Sequence, residues 1–94
     1  MNLYLLHYNN YYNRIVKKEE TLSDYLPYQI GETIENINFI PNDFINTEQI
    51  VNWQDKDPDY LIVADEDNNI ISRWFVVSTI RTRAGQLKLT LHRD

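Results

Sequence analysis

The last quarter of the chain, residues 70–94, constrains the fold more than any other segment. It reads IISRWFVVSTIRTRAGQLKLTLHRD, in which two apolar runs flank a short polar turn around 82–85. Apolar residues occupy both alternating faces of 70–80, as is typical of a strand covered on both sides. In 87–92 leucines alternate with polar residues, so one face is predicted to be core and the other wet. Because Gly85 can supply a positive backbone angle, the pattern predicts an antiparallel hairpin.

Other apolar runs predict further strands. Residues 60–64 (YLIVA) form an unbroken apolar run of strand length, and the DEDNN that follows predicts a tight turn. The segment 2–8 (NLYLLHY) predicts a first strand that ends at two asparagines. One short strand is predicted near 35–40, where the apolar period is broken, and another at 48–53. The strands at 60, 70 and 87 are predicted to form a meander, to which the first strand pairs.

One short helix is predicted ahead of Pro27. Thr21 and Asp24 have the spacing of a capping box, and Leu22, Tyr25 and Leu26 would share one helical face. Because the chain has only 94 residues, it can build one modest core. The expected architecture is a single domain, residues 1–94, that is mainly β with one short helix, arranged as a small antiparallel sandwich or a partly open barrel.

The amino-acid composition argues against several classes of function. A net charge of −5 argues against general affinity for nucleic-acid phosphates, because such binding needs clustered Lys and Arg. The absence of cysteine excludes disulfides and thiolate zinc sites. No apolar run approaches the roughly 20 residues that span a bilayer, and no signal sequence is recognisable at the start, so neither membrane insertion nor secretion is expected.

Positive charge is concentrated near the end of the chain. From residue 73 onward, only Asp94 opposes the cations Arg73, Arg81, Arg83, Lys88 and Arg93. These residues indicate either a solvated strand face or a head-to-tail contact, in which the basic end of one copy meets the acidic flank of another.

The search for reaction chemistry is mostly negative. Asp65, Asp67 and Asn69 mimic the start of a calcium loop, but Ile70 and Val76 stand where that loop needs Gly and Glu. A hairpin turn is therefore expected there. The other carboxylates in polar segments, at 19–20 and 55–59, are expected to face water. The two histidines, His7 and His92, lack metal-ligand spacing. We therefore expect no enzyme and assign no catalytic, cofactor-binding or metal-ligating residue.

Tyrosines crowd the first strand and its exit. Trp74 is expected to fill the core, whereas Tyr11 and Tyr12 follow two asparagines in a predicted loop. These two rings either pack on the short helix or contribute to a protein interface, where tyrosine is enriched.

Three segments together resemble a known family. They are YLLHYNNYYNRIVKK (4–18), NINFIPNDFINTEQIVNW (36–53) and SRWFVVSTIRTRAGQLKLTLHRD (72–94). They look like the first domain of tail-knob, or distal tail-tube, proteins of short-tailed bacteriophages. In that family, segments resembling Arg73-Trp74-Phe75 and residues 82–86 lead into successive strands. Those proteins continue well beyond the Arg-Asp end with further domains, so this chain departs from the family in length.

The resemblance implies a β-rich tube domain that joins copies of itself into a ring through which DNA passes without specific binding. It also implies other phage tail proteins as partners and a place in the virion tail after assembly in the host cytoplasm. The candidate contact residues are Tyr11, Tyr12, Arg81, Arg83 and Arg93. The alternative is a small phage-derived protein that inhibits a host protein through the acidic surface between Asp55 and Asp67.

Overall fold

The fold is mainly β, as predicted. The computed structural model describes residues 1–8, 21–41, 43–83 and 85–94. A four-residue helix is followed directly by one turn of 3₁₀ helix, Leu26–Tyr28. In chain order the elements are β1 (Asn2–Leu6), α1 (Leu22–Tyr25), β2 (Asn46–Asn52), β3 (Tyr60–Ala64), β4 (Ile70–Arg83) and β5 (Gln86–Arg93).

All five strands belong to one antiparallel sheet with the order β1-β3-β4-β5-β2. The predicted meander of β3, β4 and β5 is confirmed, and β1 pairs with β3, with Leu3 opposite Val63. Because the sheet has two distinct ends, β1 and β2, it corresponds to the open form of the expected architectures rather than to two stacked sheets. Gly85 has a φ of 78°, as the predicted turn requires.

The strand predicted near 35–40 is wrong. Asn36 has a positive φ of 57°, which interrupts extended backbone at that point. The segment instead follows the outer edge of β1 irregularly, where Leu3 and Ile34 exchange backbone hydrogen bonds of 2.8 and 3.0 Å. The Ile30 amide also donates to the Leu5 carbonyl at 3.0 Å. This segment therefore covers one edge of the sheet without becoming a strand.

The short helix begins where its sequence predicts. The Asp24 carboxylate accepts hydrogen bonds from the Thr21 hydroxyl at 2.8 Å and from the Thr21 amide at 3.4 Å. Pro27 does not end the helical segment but opens the 3₁₀ turn, where its missing amide proton is not needed. Leu22 and Tyr25 are buried, whereas Leu26, predicted on the same face, is 42% exposed because the tighter turn rotates it outward.

Both faces of β1 and β3 are buried. One face contributes to a main core, to which every strand of the sheet adds leucine, valine or tryptophan, together with Phe39. The other face contributes to a tyrosine cluster, which is completed by α1. The cluster consists of Tyr4, Leu6, Tyr8, Leu22, Tyr25, Tyr60, Ile62 and Ala64. Strict alternation in the two strands therefore divides their side chains between two apolar environments.

Cover over β4 is incomplete. Trp74 is fully buried in the main core, as expected, and Phe75 packs edge-on against Tyr60 with ring centres 5.4 Å apart. Beyond this point the register shifts between Val76 and Ser78, and Val77 and Ile80 are 56% and 55% exposed. The prediction that 70–80 is covered on both faces is therefore wrong in part, because Ile71, Val77 and Ile80 are about half exposed and the tyrosine cluster reaches β4 only at Ile70 and Phe75.

Candidate self-association surface

The sheet face that carries the tyrosine cluster at β1 and β3 also carries an exposed apolar patch, which lies across β4, β5 and β2. Lys88 of β5 lies opposite Ile80 of β4 on one side and Ile50 of β2 on the other, so the three residues form one row across the sheet. Ile50 is 50% exposed, and Val77 is exposed at the nearby bulge. We call Ile50, Val77 and Ile80 the outer patch. It is the part of this face that α1 leaves uncovered.

The charges within the outer patch compensate each other. The Lys88 ammonium lies 3.2 Å from a carboxylate oxygen of Glu48 on the neighbouring strand. The chain as a whole has a net charge of −5, but this pair leaves the patch locally neutral. Another copy of the protein can therefore approach the patch without meeting an excess of like charge.

A second group of exposed apolar residues lies in the segment before β2. Ile40 and Phe44 are 77% and 76% exposed, and Ile45 is half exposed. The Arg93 guanidinium lies 4.9 Å from the centre of the Phe44 ring and 5.4 Å from the buried Trp74 ring, so it ties the loop to the main core. We call Ile40, Phe44 and Ile45 the loop patch.

The two patches lie in different parts of the molecule. The outer patch is centred on Lys88, whereas the loop patch lies by Arg93, five residues further along β5, or roughly 17 Å at the usual rise of a strand. Arg93 lies opposite Trp74, whose ring is in the main core, so the loop patch is on the core side of the sheet. Each copy therefore presents two separate apolar surfaces that face different ways.

The sequence indicates the loop patch only indirectly, because the apolar residues of this segment follow no regular period. Ile40, Phe44 and Ile45 stand among Asn, Asp and Pro without a helical or strand period. Without a period, the sequence does not assign such apolar residues to a buried face, and they can be exposed in the folded protein. The outer patch carried no comparable signal, because Ile50 and Ile80 fit strand patterns and their exposure depends on where α1 packs.

The candidate contact arginines differ in what surrounds them. Arg81 donates hydrogen bonds to the backbone carbonyls of Trp53 and Asp55, so it ties β4 to the loop after β2. Arg93 lies between two aromatic rings. Arg83 is exposed beside the β4–β5 turn. Tyr11 and Tyr12 lie outside the described residues. Of the three arginines, Arg83 is the one whose placement agrees most simply with an intermolecular role.

Other cations of the basic end also have partners within the chain. The Arg73 Nε donates to the Tyr25 hydroxyl at 3.0 Å, and Lys88 pairs with Glu48. Much of the positive charge near the end of the chain therefore supports the fold itself, which weakens the case for a purely ionic head-to-tail contact.

The carboxylates between Asp55 and Asp67 do not form one surface. Asp55, Asp57 and Asp59 precede β3, whereas Asp65 and Asp67 follow it, and the strand between the two groups spans roughly 20 Å. Several also bind within the chain. Asp57 accepts a hydrogen bond from the Thr79 hydroxyl at 3.0 Å. The acidic surface of the inhibitor alternative is therefore divided between the two ends of β3, and that alternative stays a prediction.

Asp65 organises the β3–β4 turn. Its Oδ1 accepts hydrogen bonds from the amides of Asp67 and Asn69 at 3.0 and 2.9 Å. These backbone hydrogen bonds, that of Asn69 foremost, lower the pKa of the Asp65 carboxyl. The residues described contain no group of three or more acidic, histidine or cysteine side chains placed to hold a metal ion.

The two histidines lie apart and each has a partner. The His7 Nδ1 is 3.4 Å from Asp59, whose other carboxylate oxygen accepts the Tyr8 amide at 2.7 Å. His92 on β5 shares a 2.9 Å hydrogen bond with Asn46 on β2. The His7–Asp59 pair thus fastens the exit of β1 to the entry of β3.

A buried phenol joins the tyrosine cluster to the end of the chain. The Tyr60 hydroxyl donates a short hydrogen bond to the Asp94 carboxylate, and the Asp94 amide donates to the Arg73 carbonyl at 3.0 Å. Burial, followed by the hydrogen bond to Asp94, raises the pKa of Tyr60 far above its ordinary value. The arrangement holds the last residue against the sheet.

The described residues line two shallow grooves beside the sheet. One, of about 290 Å³, lies between α1 and the β3–β4 turn and includes Tyr4 and Asn68. The other, of about 370 Å³, lies beside Trp53 and is lined mainly by polar side chains.

No helix in the described parts of the chain has the length and apolar character needed to cross a membrane. Comparison with protein-family models, with curated proteins and with solved structures finds no match to this chain.

Proposed function

We propose that this protein is a self-associating structural module of a bacteriophage tail, in which copies join head to tail into a ring around a DNA passage. The observation that carries the proposal is the pair of apolar surfaces on each copy, the outer patch and the loop patch. A ring needs two different surfaces per copy, because each copy contacts one neighbour with one surface and the other neighbour with the second.

The chemistry of the patches suits contact between copies. Each contains isoleucine or phenylalanine that is half exposed or more, and burying such a side chain contributes about 1.5–3 kcal/mol when the burial is complete. A single domain of 94 residues gains stability in this way that its own core does not supply. The charge of the module agrees with the proposed passage, since an acidic surface repels phosphates and lets DNA slide without being held.

The resemblance of segments 4–18, 36–53 and 72–94 to distal tail-tube proteins supplies the biological setting. The expected partners are further copies and other tail proteins, and the expected location is the virion tail, after assembly in the host cytoplasm. Arg83 and the tyrosines at 11 and 12 remain candidate contact residues.

A mixing experiment tests the head-to-tail contact. Phe44→Ser damages the loop patch, Ile80→Ser damages the outer patch, and Ile71→Ser removes an isoleucine that is 49% exposed outside both. We expect each patch variant to weaken self-association about tenfold in analytical ultracentrifugation, and the Ile71 variant to behave as the unaltered protein. Negative-stain microscopy of the unaltered protein should show rings with an open centre.

Mixing the two patch variants distinguishes head-to-tail contact from other modes. The Phe44→Ser copy retains an intact outer patch and the Ile80→Ser copy an intact loop patch, so one productive contact forms between them. Through the patches, the expected product is a pair of unlike copies that adds no third copy by the same kind of contact. A protein that stays monomeric at high concentration, or patch variants that associate like the Ile71 control, would contradict the proposal.

A further inference from the structure

The outer edge of β2 differs from the other end of the sheet. The outer edge of β1 is occupied by the segment around 28–37, through backbone bonds such as those between Leu3 and Ile34. Along β2, no other segment of the described residues pairs with the outer edge. The sheet therefore has one covered edge and one uncovered edge within the part of the chain that the structure describes.

The hydrogen-bond pattern shows which backbone groups point outward from β2. The Trp53 amide donates to the Gly85 carbonyl at 2.8 Å, and the Arg93 amide donates to the Ile45 carbonyl at 2.7 Å. These bonds assign the odd-numbered residues of β2 to the pairs that bond with β5. In an antiparallel ladder the alternate residues point the other way. The outward donors and acceptors are those of Asn46, Glu48, Ile50 and Asn52.

The edge lacks the usual protection against pairing. Natural edge strands are guarded by lysine, proline, bulges or an irregular course. The seven residues of β2, NTEQIVN, contain neither lysine nor proline, and their pairing with β5 runs without a register shift. The Gln49 side-chain amide donates to the Ile50 carbonyl at 3.3 Å, which shows that this outward acceptor is accessible to a donor.

We propose that β2 pairs with β2 of a second copy, antiparallel and about a two-fold axis at Gln49, to form one continuous ten-stranded sheet. In this register Asn46 lies opposite Asn52 of the second copy, and Glu48 lies opposite Ile50. All outward backbone groups then find partners over the full length of the strand.

Other registers are poorer. An axis at Glu48 would place two carboxylates directly opposite each other, which is destabilising. An axis at Ile50 would place Glu48 opposite Asn52 and leave the first two residues of β2 opposite the chain beyond it, at Trp53 and Gln54. The axis at Gln49 is the one that pairs the whole strand without opposing like charges.

This contact uses a different part of the surface from the head-to-tail contact, except at Ile50, which belongs both to β2 and to the outer patch. Because the same strand meets itself, the edge contact closes at two copies, whereas the patches join different surfaces. The pair would therefore link copies from two rings, or two free copies before a ring forms. The test is best made in the double variant Phe44→Ser, Ile80→Ser, whose patches are both damaged, so that its result does not depend on the ring proposal.

Disulfide cross-linking reports the register directly. The chain contains no cysteine, so Gln49→Cys introduces a single thiol. At a non-hydrogen-bonded pair on the axis the two Cα atoms would lie about 4.5 Å apart, which a disulfide spans. Asn52→Cys is the matched control, since the two copies of residue 52 would lie roughly 20 Å apart. With oxidised glutathione, we expect the Gln49 variant to form a covalent dimer and the Asn52 variant to form none.

A second variant guards against local misfolding in the first. Ile50→Pro removes an outward amide without removing a bond to β5, and proline is tolerated on edge strands. In the same background it should weaken dimerisation about tenfold or more relative to Ile50→Ser, which removes the same outer-patch side chain but keeps the amide, while the circular dichroism spectrum stays unchanged. Equal cross-linking at positions 49 and 52, cross-linking at neither, or dimerisation that Ile50→Pro leaves intact would overturn the edge pairing. Any of these results would leave the patch experiment to be judged separately.

Discussion

Gly31 lies so close to the indole ring of Trp53 that a Cβ atom on it would come within 2.5 Å of the ring carbon Cη2. Its φ of 62° is also in the left-handed region. The Trp53 ring is held in place, because its Nε1 donates to the Lys56 carbonyl at 2.9 Å. Gly31 thus lets the segment that covers the β1 edge pass directly over a core side chain.

We expect Gly31→Ala to lower the free energy of unfolding by about 2–4 kcal/mol, because left-handed backbone strain and steric overlap add. Gly85→Ala is the control. Its φ is 78°, but a Cβ there would meet only the movable end of Gln54, at 3.3 Å, so the loss should be about 1–2 kcal/mol. Urea denaturation measures both, and equal losses would show that the Trp53 contact adds nothing.

The Asp65 turn gives the protein a component of acid sensitivity. Because the pKa of this carboxyl is lowered in the folded protein, the unfolded chain binds more protons as the pH falls. The stabilisation is present above the unfolded pKa and is lost as the pH falls through the folded pKa. In acid titrations followed by thermal unfolding, Asp65→Asn should be less stable at neutral pH and should lose less stability on acidification. Asp67→Asn is the control, and the Asp65 hypothesis fails if the two variants behave alike.

The Tyr60 phenol should resist ionisation until the protein unfolds. Its pKa is raised above the ordinary value of 10.0, so the related stability is full below that pH and is lost as the pH rises beyond it. In a spectrophotometric titration, one tyrosine should ionise together with alkaline unfolding, and Tyr60→Phe should abolish that step. At neutral pH the same variant should cost about 1–3 kcal/mol, because the Asp94 carboxylate loses its donor. A Tyr60 that titrates in the folded state would refute this account.

The stacking of Arg93 on Phe44 should be measurable as a coupling energy. The guanidinium lies 4.9 Å from the ring centre of a phenylalanine that is 76% exposed, and exposed contacts of this kind contribute about 0.5–1 kcal/mol. A double-mutant cycle with Phe44→Leu and Arg93→Met should recover that coupling. Phe44→Leu combined with Lys88→Met, which changes a distant cation, should give none.

The strands that could be predicted from sequence are those whose two faces have the same environment. Residues 60–64 were predicted with the bounds that β3 has, because an unbroken apolar run requires cover on both faces, and both are covered. Residues 35–40 were predicted wrongly, because a broken apolar period cannot distinguish a short strand from a segment that merely borders one. The positive φ of Asn36 decides the matter. Asparagine is among the residues that adopt this conformation, but its identity alone does not show that it does so at this position.

The candidate surface was harder to predict than the fold, for a physical reason. Whether Ile80 is exposed depends on how far α1 reaches across the sheet, which is a tertiary property. Whether Arg81 is available for a partner depends on the carbonyls of Trp53 and Asp55, which lie 28 and 26 residues away along the chain. The count of charged residues correctly located the basic end of the sequence. It could not show that many of these cations bind other residues of the same chain.

The cover over the β1 edge has a consequence for aggregation. A sheet with two bare edges can recruit further copies at both ends without limit, which is the geometry of amyloid growth. Here Ile34 and its neighbours already occupy the hydrogen-bonding groups at one end. Fibrillar polymerisation through this sheet would first require that segment to detach, so its attachment opposes a hazard that the outer edge of β2, which no described segment covers, would otherwise create.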